Sequence, residues 1–237
     1  MRTSGVTVKS DEEQKQAANV SEEYEPITKH GFKYRLYLAV KRTADFMLAF
    51  VALITLLPLI AIILLVKWLE DFHNPIYVSK RVGKDGKLFH FYKIRSMRPD
   101  AELLKQKMIE EGLNEVDGPA FKMKNDPRIT PVGRFLRRSS LDELLQLYNI
   151  VKGDMSIVGP RPPLPFEVDT YTAYQRHRLD VKGGLLCLWQ IQPNRHDVSF
   201  DDWVNYDIDY IRNQSLILDL KIICKGAFMV FSGKSGD

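Results

Sequence analysis

The stretch RFLRRSSLDELLQL, residues 134–147, sets two adjacent carboxylates, Asp142 and Glu143, behind three arginines, Arg134, Arg137 and Arg138. Two readings compete for the pair. In one, Ser140 and Glu143 form a capping box, and an acid in the first helical turn complements the helix dipole. In the other, the carboxylates sit in an arginine field at a helix end whose free N–H groups already favour anions. They would then stay ionised, and could hold Mg²⁺ or attack phosphorus. A cap accounts for the acids but leaves the arginines unexplained.

Further basic side chains stand at restricted positions. Lys93 and Arg95 lie two apart on an extended segment, so both project from one face. Arg161 is fixed between Pro160 and Pro162 in KGDMSIVGPRPPLP, which limits backbone freedom around a side chain suited to bidentate phosphate binding. A solvated strand face and a polyproline turn are the non-functional alternatives. Residues 121–138 carry six basic side chains and one acidic, a stripe that calls for an anionic partner. Cys187 and Cys224 have apolar neighbours and neither a CxxC motif nor metal-ligand spacing to the five histidines, which implies reducing surroundings and no zinc site.

The elements that must position these groups are legible in part. Strand-like alternation flanks Lys84-Asp85-Gly86, where Asp-Gly favours a tight hairpin turn. Residues 100–112 read as a helix ending on Gly112, and Pro119, Pro127 and Pro131 punctuate a loop-rich basic section. Residues 1–25, with three basic and six acidic side chains, are too polar to bury much surface and read as a loose tail. The 237-residue chain is long enough for one globular unit with accessory segments.

Phe46 to Val66 form a run of 21 residues without a charge. As a straight helix it would reach about 31 Å, close to the hydrocarbon thickness of a bilayer. Lys29, Lys33, Arg35, Lys41 and Arg42 precede it, and Lys67, Lys80, Arg81 and Lys84 follow, so the positive-inside rule leaves both ends on the cytoplasmic side. Pro58, near the middle, removes a backbone donor and bends the helix. A spanning helix, a re-entrant helix and a buried core helix all remain open on pattern alone. No secretion signal is read, because the run starts late and no small-residue cleavage site follows. The stretch SLILDLKIICKGAFMVF, residues 215–231, is interrupted by Asp219, Lys221 and Lys225 and suits an interfacial amphipathic or core helix.

Taken in order, FHFYKIRSM, NDPRITPVGRFLRRSSLDELLQLYNIVKGDMSIVGPRPP and the later LWQI, SFDDWVNYDIDYI and SLILDLKII segments resemble the bacterial sugar transferase family, the monotopic phosphoglycosyl transferases, over roughly residues 40–235. The resemblance implies transfer of a sugar-1-phosphate from a UDP-sugar to a polyprenol phosphate such as undecaprenyl phosphate, with Mg²⁺. This is an initiating step of surface-glycan assembly at the cytoplasmic face of the bacterial inner membrane. It makes Asp142 the nucleophile of a phosphosugar–aspartyl intermediate and Glu143 the Mg²⁺ ligand. Lys93, Arg95, Arg137, Arg161, Arg195 and Asp207 become substrate-binding positions. The implied fold is α/β and membrane-associated: a polar tail over 1–28, a basic flank and re-entrant helix bent at Pro58 over 29–72, and a catalytic domain over 73–237. That domain is expected to be small and mainly helical, with a short β-hairpin and interfacial amphipathic helices. Both termini are expected in the cytoplasm, with no nucleic-acid partner, a homodimer as a further expectation, and no amino-terminal membrane domain of the kind longer relatives carry. Leu57 departs from the serine common before the proline, and KGGLLCLWQ departs from the usual turn before the tryptophan. The rival readings are a Mg²⁺-dependent phospho-aspartyl phosphatase and a membrane-tethered basic module that binds anionic lipid or nucleic acid.

Overall fold

The structure, a computed structural model, describes residues 26–27, 31–113, 123, 125–192 and 198–231. A single helix, α1 (Phe32–Asp71), carries the whole apolar run and stays helical through Pro58. It begins after Gly31 without a side-chain cap and stops at Phe72, which turns left-handed at φ 54°. At 40 residues it measures about 60 Å.

One face of α1 is tied to the rest of the chain from end to end. Near its start, Tyr37 and Lys41 donate to Asp219, and the Arg42 guanidinium donates to the carbonyls of Ile150 and Val151. Asp45 accepts from Ser156 Oγ at 2.7 Å. In the middle, Ala49, Ala52, Leu53 and Leu56 pack on Phe89, Phe91, Ile150 and Met155. Further along, Ile63 and Leu64 meet Ile94 and Leu136. At the end, Lys67, Glu70 and Asp71 bond Thr130, Val132 and Arg95. The opposite face exposes Met47, Phe50, Val51, Ile54, Leu57, Ile62, Leu65 and Leu69, a stripe too large and too apolar to face water. By length and composition α1 is long and apolar enough for membrane association.

After α1 comes an antiparallel hairpin, β1 (Ile76–Val82) and β2 (Leu88–Ile94), paired from Ile76↔Ile94 to Val82↔Leu88. Asp85 and Gly86 both adopt positive φ and Lys87 N–H donates to Lys84 O, which is the tight Asp-Gly turn expected, set within a connection over residues 83–87. α2 (Ala101–Glu110) follows and ends before Gly112 at φ 71°, as expected. α3 (Pro131–Arg138) starts on Thr130, whose hydroxyl accepts from Gly133 N–H. Gly133 lies so near the chain at Ser96 that a Cβ there would meet Ser96 O at 1.9 Å.

Beyond a 3₁₀ turn at Leu141–Glu143 stand α4 (Gln146–Lys152), β3 (Ser156–Val158), α5 (Pro165–Asp169) and α6 (Ala173–Arg176). β4 (Gly184–Leu186) pairs parallel with β3, in register Ser156↔Gly184 and Val158↔Leu186. α7 (Phe200–Asn213) and α8 (Leu216–Phe231) complete the described chain. Val158, Tyr210, Ile211 and Ile222 build the second core cluster, on which Ile27, at the end of the polar tail, also packs. Asp219 does not interrupt α8 as a solvated charge would. It is buried, where it accepts from Tyr37, Lys41 and Tyr210. The architecture is therefore mostly helical, with a hairpin and a two-strand parallel pair.

Candidate functional site

The capping-box reading of Ser140 fails. Ser140 adopts φ 55° and makes no side-chain cap bond, and Leu141–Glu143 is a 3₁₀ turn that continues through Leu144 and Leu145, both right-handed helical, into α4. The reason lies in the leucines: Leu141, Leu144 and Leu145 all pack on the Ile63, Ile94 and Leu136 cluster. Burying all three on one side forces a tight left-handed entry at Ser140 and aims the acids between them toward β2.

There they meet Lys93. Its Nζ lies 2.8 Å from Glu143 Oε1 and 3.8 Å from Asp142 Oδ2. The two carboxylates thus share a cation unequally, and their titration diverges. Burial raises the Asp142 pKa, Glu143 adds to that, and Lys93 and Arg137 only partly oppose it. For Glu143 burial also raises, but Lys93, Arg161 and hydrogen bonds from Lys93 and Gln146 outweigh it and hold the group below its ordinary range. Adjacent acids set apart in this way can take different roles: the better-neutralised one stays anionic, and the more basic one is the better nucleophile once ionised.

Arg161 reaches the same place from the other side. Its loop is held through its carbonyls: Gly184 N–H donates to Pro160 O, Arg81 Nη1 to Pro162 O, and Val82 N–H to Pro163 O. Gly183 and Gly184 make this possible, since a Cβ at Gly183 would stand 2.5 Å from Pro162 Cγ and one at Gly184 2.1 Å from Gly159 N. The KGG departure therefore supplies the close approach that seats the arginine loop. A cavity of about 10 Å³ remains between Arg81, Phe91, Glu143, Gln146, Arg161 and Cys187.

The structure does not gather every expected residue. Lys93, Arg137, Asp142, Glu143 and Arg161 converge. Arg95 does not join them: Nη2 donates to Asp71 Oδ1 at 2.6 Å, which makes it a tether between β2 and the end of α1. Asp207 is 1% exposed and bonded to Arg178 Nε at 2.8 Å, so it is buried beneath the site instead of lining a substrate surface. Arg178 in turn bonds Tyr171 and approaches Arg161 O, so this pair supports the arginine loop. Arg195 lies outside the described residues. Arg81 and Gln146 were not singled out from the sequence. The signal for Arg81 was strand alternation, because residues 77, 79 and 81 share a face with 93, 91 and 89 once the hairpin register is known.

Asp142 and Glu143 offer adjacent hard oxygen donors, the kind Mg²⁺ takes in ones or twos while completing its octahedron with water and phosphate oxygens. Among the described residues no group of three or more His, Cys, Asp or Glu forms a self-sufficient metal cage. The donor set fits an ion that a phosphate substrate helps to hold.

Known proteins place the chain. The family model described as bacterial sugar transferase matches residues 36–233. The galactosyl transferase CpsE of Streptococcus agalactiae is 41% identical over 204 residues, covering 85% of this chain and 44% of that protein. An undecaprenyl-phosphate galactose phosphotransferase of Salmonella typhimurium is 43% identical over 193 residues, 81% of this chain and 40% of its own length. The exopolysaccharide production protein ExoY of Sinorhizobium fredii is 38% identical over 187 residues, 78% of this chain and 82% of its own. The chain thus spans less than half the length of the first two relatives and most of the third.

Proposed function

The chain belongs to the bacterial sugar transferase family, and from that premise we propose that it transfers a sugar-1-phosphate from a UDP-sugar to undecaprenyl phosphate in exopolysaccharide or capsule synthesis. The observation that carries this reading is the unequal pair: Glu143 is bonded to Lys93 and feels the Arg161 charge, while Asp142 keeps its oxygens 3.8 Å or more from Lys93, beside Arg137. An oxygen of Asp142 attacks the phosphorus that carries the sugar. The bond from that phosphorus to the bridging oxygen breaks, and UMP leaves with the electron pair. A phosphosugar–aspartyl ester remains. The phosphate oxygen of the lipid then attacks the same phosphorus, the aspartyl–phosphorus bond breaks, and Asp142 is regenerated as a carboxylate.

Lys93 and Arg161, with Arg137 behind them, offset charge on the phosphate oxygens through both displacements. Glu143 would hold Mg²⁺ together with phosphate oxygens of the substrate, and the ion when bound would neutralise the diphosphate and improve the leaving group.

The membrane part of the proposal is re-entrance of α1 from the cytoplasmic side. Support comes from its contacts: residues from Tyr37 to Asp71 bond or pack on the same body, leaving no stretch of about 20 residues clear of it for a simple crossing. Single cysteines at Lys33 and Lys84, in a chain lacking Cys187 and Cys224, should be equally protected from an impermeant reagent in intact cells. Labelling of one position alone contradicts re-entrance.

Activity is tested by incubating membranes that hold the protein with a panel of radiolabelled UDP-sugars and undecaprenyl phosphate. One sugar is expected to enter the lipid with release of UMP. Release of free sugar-1-phosphate without lipid would instead identify a phosphatase.

A further inference from the structure

Arg81 differs from the other arginines around the site in what surrounds it. Arg95, Arg98, Arg128 and Arg178 are ion-paired with Asp71, Asp100, Asp126 and Asp207 respectively. Neither Arg81 nor Arg161 has such a carboxylate. Arg81 Nη1 donates to Pro162 O, its guanidinium lies 5.2 Å over the Phe91 ring, and its Nε is buried without a partner. Lys93 Nζ stands over the same ring at 5.8 Å. Arg81, Arg161 and Glu143 line one cavity, yet Glu143 is already bonded to Lys93.

Four cations, Arg81, Lys93, Arg137 and Arg161, therefore gather about Asp142 and Glu143 in a poorly solvated place, with the Glu167 charge also acting on Arg81. Burial first, and then the Arg161 charge, pull the Arg81 pKa down to about 10. Two guanidiniums brought together out of water repel one another, and an anion between them removes that penalty while satisfying the orphan N–H. The cavity of about 10 Å³ has room for a water but not for a phosphate. Phosphate entry must part the two side chains, a movement their repulsion favours.

We propose that Arg81 is a phosphate-binding residue of this site, closing with Arg161 on a non-reacting phosphate oxygen of the substrate. This rests on the transferase reading. The shared chemistry, an anionic phosphate oxygen, belongs to both the nucleoside diphosphate donor and the phosphomonoester acceptor.

The test uses the full chain in phospholipid nanodiscs, comparing wild type with Arg81→Gln, Arg81→Lys and, as a control, Arg98→Gln. Initial rates are measured with the UDP-sugar varied at saturating undecaprenyl phosphate, and then the reverse. Arg81→Gln should raise KM about 10- to 150-fold in one arm, the size of a lost charge-assisted contact. The arm that moves identifies the phosphate. Arg81→Lys should lose less, and Arg98→Gln should match wild type. A role limited to holding Pro162 would lower kcat or the melting temperature with both KM values unchanged and no advantage for lysine, which would overturn the proposal. Should Arg81→Gln fail to fold, unchanged KM values in both arms for Arg81→Lys would overturn it equally. If wild type turns over no UDP-sugar, the transferase reading fails by itself. Equilibrium dialysis with inorganic pyrophosphate then decides Arg81: binding about 10-fold or more weaker in Arg81→Gln than in wild type supports the role, and equal binding removes it.

Discussion

Two clusters of acids and bases lie along β2 and its exit, made of the same residue types, and they are built differently. At the end of α1, Lys67 and Arg95 face Glu70 and Asp71, two cations against two anions. Thr130 Oγ1 accepts from Lys67, and Val132 N–H donates to Glu70. At the hairpin face, Lys93, Arg81, Arg137 and Arg161 outnumber Asp142 and Glu143, and neither Arg81 nor Arg161 is ion-paired with an acid of its own. The closed cluster ties a long apolar helix to the domain. The open one carries cations in excess, which is what the proposed phosphate site requires. Buried ionic groups alone identify neither; the balance of charge separates them.

The comparison breaks most sharply at the dyad. Asp142→Asn is expected to lower turnover at least about 10³-fold while leaving the melting temperature near wild type, since the side chain keeps its shape but loses its nucleophilicity. Glu143→Gln should lose turnover as well, because a metal site wants anionic oxygen. Activity assays with thermal melts on the same samples check both, and retained turnover would return the pair to a structural role. Lys67→Met should do the reverse. Lys67 is fully buried, so its removal strands two carboxylates and should cost about 3–5 kcal/mol of stability, read by denaturation in nanodiscs. A stable, inactive Lys67→Met protein would erase the distinction.

Arg161→Ala should lower kcat/KM about 10- to 150-fold with the protein still membrane-bound, against no change for the exposed Arg98→Ala. The smallest effect is on pH. Burial tends to raise the pKa of Glu70 and Asp71, but Lys67 together with the Val132 N–H for Glu70, and the His73 N–H with Lys67 for Asp71, outweigh it and lower both from ordinary values of 4.5 and 3.8. Depressed carboxylate pKa values stabilise above the unfolded values, and that stability is lost as pH falls through the folded ones. Melting temperature should therefore drop below about pH 4.5 less steeply in Glu70→Gln than in wild type. Parallel pH curves would show that the cluster contributes nothing through ionisation.

Much of this was legible in the chain. The hairpin and the helix before Gly112 follow from local pattern, the long apolar segment from length, and Asp142–Glu143 from its arginine setting. What pattern missed needed tertiary partners. Asp219 and Lys67 read as charges flanking or breaking apolar stretches, but Asp219 is buried against Lys41 and Tyr37 far along the chain, and Lys67 is buried between Glu70 and Asp71 one turn on and the distant Thr130. Lys93 on β2 and Arg95 just past its end serve different clusters, because Glu143 is brought beside the first and Asp71 beside the second. Arg81 became visible only with the register across the hairpin, and Ser140 lost its capping role to the packing of three leucines.

The most direct test of the proposed chemistry is the covalent adduct. The protein is mixed with its radiolabelled UDP-sugar before any lipid is added, quenched, digested and mapped. Label is expected on the peptide that holds Asp142, absent in Asp142→Asn, and chased into lipid when undecaprenyl phosphate is supplied. Turnover without any adduct, or label on another residue, would contradict a phosphosugar–aspartyl route through Asp142.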